Sequence, residues 1–99
     1  MISRDPDRCP THPGELLRED IVPSLAYSKV ELAKMLGISR QHFYDILNEK
    51  KPVSAAVAAR LGKLLGNGPL FWIRMQGAHD VWHAERDVDV SAVPSINVA

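Results

Sequence analysis

Residues 28–48, SKVELAKMLGISRQHFYDILN, decide the fold, because they read as two short helices joined by a tight turn. Ser28 can cap the first helix, and Glu31 stands three residues on, the capping-box spacing. Leu32, Ala33 and Leu36 follow at helical spacing, with the small Ala33 where a second helix can approach closely. Gly37 falls where a residue of positive φ ends a helix. Ile38 is an apolar plug in the turn, and Ser39 can cap the next helix. That helix buries Phe43, Ile46 and Leu47 at i, i+3 and i+4, which leaves Arg40, Gln41, Tyr44 and Asn48 facing out. Arg and Gln in an exposed first turn suit a major groove, since both pair bidentately with purine edges. The pattern is a helix-turn-helix. Two helices packed about a glycine turn for purely structural reasons would share it, so the charge distribution has to weigh between the two.

Between Ser28 and Lys63 lie seven basic residues (Lys29, Lys34, Arg40, Lys50, Lys51, Arg60, Lys63) and three acidic ones (Glu31, Asp45, Glu49), a net of +4. The whole chain is formally neutral, so the remainder carries −4 and the neutrality is a cancellation. Phosphate binding depends on the local patch, and a zero total does not count against nucleic acid.

The remaining composition sets bounds. A chain of 99 residues makes one domain with a modest core, and 45% apolar with 24% charged residues is the balance of a soluble globular protein. A single cysteine, Cys9, excludes an internal disulfide and fits a reducing cytosol; in its polar, proline-containing setting it reads as incidental. No apolar run approaches the roughly 20 residues of a membrane span, and the N-terminus lacks a signal-peptide core, so a cytoplasmic protein is expected.

Outward from the central stretch, residues 1–11 (MISRDPDRCPT) read as a flexible leader. Pro13 suits the first position of a helix that runs through GELLREDIV with Leu17 and Ile21 on its stripe and stops near Pro23. Residues 49–53 (EKKPV) form a basic loop, and Ser54 caps a helix whose Val57, Leu61, Leu64 and Leu65 face the core, ended by Gly66. Pro69 opens the fifth and longest helix, which carries two apolar stripes: Leu70, Ile73, Gly77, Val81 and Ala84, and Trp72, Met75, His79 and Trp82. A small monomer buries only one such face. The tryptophan stripe is therefore expected to be a partner surface, the dimer interface; the plainer reading is that both tryptophans cover a thin core. Residues 88–99 (VDVSAVPSINVA) alternate weakly, as an edge strand, a binding arm or an unstructured tail would.

Catalytic chemistry finds little support. His79 and His83 stand at i, i+4, echoing the H-E-x-x-H zinc motif. Asp80 is one methylene short of the usual base, and no third ligand is in evidence, since His12 and His42 lie in other segments. No glycine-framed serine is present, and Cys9 has no orienting pair beyond His12. The expectation is no enzyme, no metal and no cofactor.

Four segments, HPGELLRED, LAKMLGISRQ, AARLGKLLGNGPLFW and MQGAHDVWHAE, resemble the HigA/VapI-type antitoxins of the lambda-repressor-like (XRE) superfamily, over residues 12–90. The helix-turn-helix portion is specific to the superfamily; the HPGE start with the PLFW-x5-A-x3-W helix is more specific. The resemblance places Lys29 where relatives usually carry a phosphate-contacting Gln, and Ser39, Arg40 and Gln41 match the Ser-Arg-Gln at the mouth of the recognition helix. His42, Phe43 and Tyr44 depart from the commoner Arg, Ile and Asn, which leaves the operator sequence open. Glu49 replaces a usual Gly after Asn48, removing an easy positive-φ position at about 1 kcal/mol unless Asn48 takes it. Gly68 stands where a Ser or Thr cap is usual.

The expectation is thus an all-α, five-helix lambda-repressor-like DNA-binding domain, residues 12–87, with the helix-turn-helix at its second and third helices. It would form a homodimer on a palindromic double-stranded operator, touched by Lys29, Lys34, Ser39, Arg40, Gln41, His42, Tyr44, Asn48, Lys50 and Lys51. The resemblance further implies a small basic RelE-like toxin that cleaves messenger RNA. Acidic residues outside the central segment (Asp5, Asp7, Glu15, Glu19, Asp20, Glu85, Asp87, Asp89) would steer such a partner, with Leu16, Glu19 and Asp20 of the first helix as the contact; solubility alone would also explain them. The alternatives are a stand-alone XRE regulator without a toxin, or an interaction module whose helix-turn-helix is vestigial.

Overall fold

Pro13 starts the first helix because its ring fixes a helical φ and its missing N–H is one that no helix start can use. In the computed structural model, which describes residues 7–97, His12 caps that start, its buried Nδ1 accepting the Gly14 N–H at 2.8 Å. Burial, and then the neighbouring His79, push the His12 imidazole pKa down, which favours the neutral form that can accept this bond. The helix, α1 (residues 13–24), has an α-helical turn Pro13–Leu16, a wide π turn Leu17–Ile21 and a last turn Val22–Ser24. It ends at Ser24, near Pro23 as expected, with the proline inside its last turn. Proline has no N–H for the carbonyl four residues back and its ring crowds it. The turn before it opens instead, with the Val22 N–H bonded to the Leu17 carbonyl five residues back.

Helices α2 (Lys29–Leu36) and α3 (Arg40–Leu47) follow as expected. Both halves of the Ser28–Glu31 capping box are made, at 3.1 and 3.2 Å. Gly37 ends α2 at φ 73°, and a Cβ there would stand 2.5 Å from Arg60 Nη1, which donates to the Leu36 carbonyl at 2.9 Å. Ser54 caps α4 (Ala55–Leu65), which buries Val57, Ala58, Leu61 and Gly62 while Leu64 turns outward. These four helices, with α5 (Pro69–Asp87), account for all regular structure among the described residues.

One core joins Leu17, Val22, Leu32, Leu36, Phe43, Ile46, Leu47, Val53, Val57 and Leu61 to Trp72. Trp72 corrects the expected dimer surface: it is 0% exposed, and its indole N–H donates to Asn67 Oδ1 at 3.0 Å. The largest side chain of α5 closes the core of its own chain, because a domain this small has few other bulky groups to fill it. Met75, His79 and Trp82 are half-buried on the same side, whereas Leu70, Ile73 and Val81 are exposed. The stripe expected in the core is thus the exposed one.

Between them sits Gln76, which the sequence reading left unassigned. Its Oε1 accepts the Val53 N–H at 2.8 Å and its Nε2 donates to Asp80 at 2.9 Å, so a buried amide ties the 49–53 loop to α5. The leader is not loose throughout: Cys9, Pro10 and Thr11 are half-buried, and the Pro10 carbonyl lies 2.9 Å from His79 Nδ1. Residues 1–6, with Asp5, and residues 98–99 lie outside the described residues. Residues 88–97 form no strand; a turn closed by the Val93 N–H on the Val90 carbonyl at 2.9 Å leads into an exposed irregular end.

Gln76→Leu tests this tie. It removes the acceptor of a buried backbone N–H, which costs about 1–3 kcal/mol. Urea denaturation should show the midpoint falling accordingly, and a variant as stable as the parent would mean that the loop is held by other contacts.

Candidate nucleic-acid interface

An amphipathic helix shows its polar face only as firmly as its apolar face is held. Phe43, Ile46 and Leu47 anchor α3 in the core, and Ser39 Oγ caps its start by accepting the His42 N–H at 3.0 Å. From the other side α1 packs directly on the α3 backbone, because a Cβ on Gly14 would lie 1.9 Å from the Ile46 carbonyl oxygen. Only glycine allows that approach. Arg18 then reaches across from α1, donating to the Leu47 carbonyl at 2.6 Å and pairing with Glu49 at 3.3 Å. Three devices thus fix α3 at its start, along its length and at its end.

The chain leaves α3 through a left-handed residue, and that residue is Glu49 itself, at φ 62°, while Asn48 stays at φ −90°. The alternative in which Asn48 takes the positive φ does not occur. The Lys50 and Lys51 N–H groups return to the Asp45 carbonyl at 2.8 and 3.2 Å, folding the basic loop against the end of α3.

The polar face is as expected at Arg40, Gln41 and Asn48, all exposed with Ser39, Lys29, Lys34, Lys50 and Lys51. His42 and Tyr44 are half-buried, and Tyr44 packs on the edge of the core. Three features escape the sequence reading. Gln41 Nε2 donates to Asp45 Oδ1 at 2.8 Å, and Asp45 also pairs with Lys51 at 3.6 Å, so a carboxylate organises two of the candidate contact residues. The i, i+4 spacing of Gln41 and Asp45 was the available signal. Arg18 has no local signal, since its target is 29 residues away. Arg60, counted in the basic segment, is occupied as the cap of α2.

Of the candidate toxin contacts, Asp20 is exposed and Glu19 is exposed but paired with Arg18 at 2.8 Å. Leu16 is half-buried and packs on the core, so it does serve its own fold, contrary to expectation. No helix among the described residues is long and apolar enough to cross a membrane.

No protein-family model matches the chain. Over 76 residues it is 37% identical to virulence-associated protein I of Dichelobacter nodosus, covering 77% of this chain and 70% of that one. It is 32% identical over 79 residues to antitoxin HigA-1 of Vibrio cholerae, covering 80% and 74%. The solved structure of antitoxin GraA in complex with its operator superposes with a TM-score of 0.81 at 34% identity, over 99% of this chain and 100% of that one. Sequence and fold agree, and the chain belongs to the HigA-type antitoxins of the lambda-repressor-like (XRE) helix-turn-helix superfamily.

Proposed function

We propose that this chain is a non-enzymatic, operator-binding antitoxin of the cytoplasm that represses its own operon as a dimer and neutralises a RelE-like toxin. The observation that carries the DNA-binding part is the capped, exposed start of α3, where Arg40 and Gln41 stand free of the core. The likeness to GraA in complex with its operator supports the same reading.

Base reading would fall to Arg40 and Gln41, with Tyr44 at the groove edge, and Lys29, Lys34, Asn48, Lys50 and Lys51 would hold the phosphates. Arg40→Ala should cost about 1–3 kcal/mol on the operator and relax base preference, while Lys50→Ala should weaken specific and random duplexes alike and lower the salt dependence. Fluorescence anisotropy across a salt series separates them. Equal losses on both duplexes for both variants would defeat the assignment of α3 as the reading helix.

A palindromic operator needs a two-fold protein with reading helices about 34 Å apart. The face of α5 fitted to this role is the exposed stripe of Leu70, Ile73, Val81 and Ala84. Gly77 lies within that stripe, and a Cβ there would meet nothing within 4 Å. A mid-helix glycine costs about 1 kcal/mol against alanine, and with no steric demand inside the chain a closely approaching second helix gives it a use. Ile73→Glu should give a folded monomer by sedimentation, with unchanged circular dichroism. A wild type that is monomeric at tens of micromolar would count directly against the dimer.

The toxin reading is supported by the HigA-1 relationship and by exposed acidic groups on either side of the basic segment in sequence, Asp7, Glu15 and Asp20 before it and Glu85, Asp87 and Asp89 after it. These groups would draw a cationic nuclease to surfaces away from the basic centre. Co-expression with a neighbouring reading frame for a small basic protein, purified through one tag, should yield a complex stable in moderate salt. Recovery of this chain alone, with the neighbour harmless when expressed by itself, would leave a stand-alone regulator.

A further inference from the structure

The fold brings Cys9 against two histidines of α5, although 70 residues separate it from the nearer one. His79 and His83 share a face of the helix, with ring centroids 4.6 Å apart. The Cys9 Sγ lies 3.6 Å from His79 Nδ1 and 3.5 Å from His83 Nε2. We propose that Cys9, His79 and His83 form a binding site for Zn²⁺ or a similar borderline transition ion, which clips the N-terminal segment onto α5. The proposal stands apart from the DNA-binding reading.

The distances carry the argument. A tetrahedral ion with Zn–S near 2.3 Å and Zn–N near 2.05 Å sets its sulfur and nitrogen ligands about 3.6 Å apart and its two nitrogens about 3.4 Å apart. Both sulfur–nitrogen separations already match that value. All three ligand atoms lie within 4.8 Å of one another, so the two nitrogens would close by up to about 1.4 Å on binding, through rotation of the exposed His83 ring. That exposure also gives the ion a way in. One thiolate and two imidazoles are the donors of zinc and its neighbours, and an ion that prefers oxygen would not choose them.

Without the ion, the Cys9 S–H and the His79 Nδ1 both face the Pro10 carbonyl, at 3.4 and 2.9 Å. On loading, the thiol proton leaves to solvent and His79 Nδ1 gives up its bond to the Pro10 carbonyl, the ring proton passing to Nε2. The Pro10 carbonyl then turns to water. His12 is beside His79, with centroids 4.9 Å apart, but its Nδ1 holds the Gly14 N–H, which keeps it out of the ligand set. The fourth position is left to water or to a group from another molecule. Asp80 is tied to Gln76 at 2.9 Å and supplies no base, so the site fastens rather than catalyses.

The test uses the full chain, reduced and stripped of metal, titrated with Co²⁺. One equivalent should bind per chain, with a thiolate-to-cobalt charge-transfer band in the near ultraviolet that excess Zn²⁺ abolishes. Zn²⁺ should raise the thermal midpoint of the wild type. Cys9→Ser and His83→Ala should each remove the band and weaken binding at least tenfold, while the metal-free variants keep the circular dichroism of the parent. Absence of the band in the wild type, or its survival in either variant, would overturn the site; the three atoms would then be a hydrogen-bonded cluster only.

Discussion

The contact on which the rest of the structure depends is the passage of α1 over the backbone of α3. Gly14 stands so close to the Ile46 carbonyl that no other residue fits. This one approach explains several features that look unrelated in the sequence. His12 and Pro13 are buried because the start of α1 is pressed into the domain, and His12 rather than a serine caps it. Arg18, one helical turn further on, then comes within reach of the Leu47 carbonyl and Glu49. A surface ion pair alone contributes little, but here the same guanidinium closes an otherwise open helix end. The positive φ of Glu49 is held by that arrangement and by the loop bonds to Asp45.

Much of this was legible beforehand, for a physical reason. Caps, glycine stops and apolar spacing are local, so the Ser28–Glu31 box, Gly37, Ser39, Ser54, Gly66 and Pro69 all perform the roles that their positions suggest. What was not legible depends on partners distant in sequence. Trp72 and Ile73 lie on different sides of one helix with equally good periodicity, and hydropathy does not say which side meets the core. Volume decided it: the fully buried indole fills core space beside the α4–α5 turn that a smaller side chain would leave empty. Gln76 is a polar residue on the buried side and weakens the moment of that stripe, yet it satisfies a backbone N–H that apolar packing would have stranded. The candidate site was legible at Arg40 and Gln41, where exposure follows from spacing alone, and less so at Tyr44, which is shared with the core.

Helix α5 also shows how nineteen residues serve several purposes along their length. Its first half closes the core through Trp72 and Gln76. Its outer stripe is apolar and exposed, and its second half meets the N-terminal segment through His79 and His83. The histidine pair lacks a third donor nearby in sequence, and the residue that the fold sets beside it is Cys9, which reads as incidental because it lies far off in a polar stretch. Residues far apart in a chain become a constellation only once a fold has brought them together, and short spacings cannot reveal such a site.

Asp45 gives the operator-binding role its internal logic. A half-buried carboxylate beside the polar face of α3 is unfavourable toward every phosphate backbone, whatever the sequence. In the free chain that charge is balanced by Lys51 and its oxygen is satisfied by Gln41, so neither residue is idle. In the proposed complex, contact with DNA would exchange these bonds. A duplex that offered Gln41 an adenine edge would give its amide a new partner, whereas a random duplex would offer only phosphates for the lysine, and Asp45 would lose both partners in either case. The intramolecular bond would therefore lower affinity for all DNA and lower it least for the matching site. That is specificity obtained by a repulsive element set beside an attractive one. It also accounts for an acidic residue within the basic segment, because a uniformly cationic α3 would bind more tightly and discriminate less.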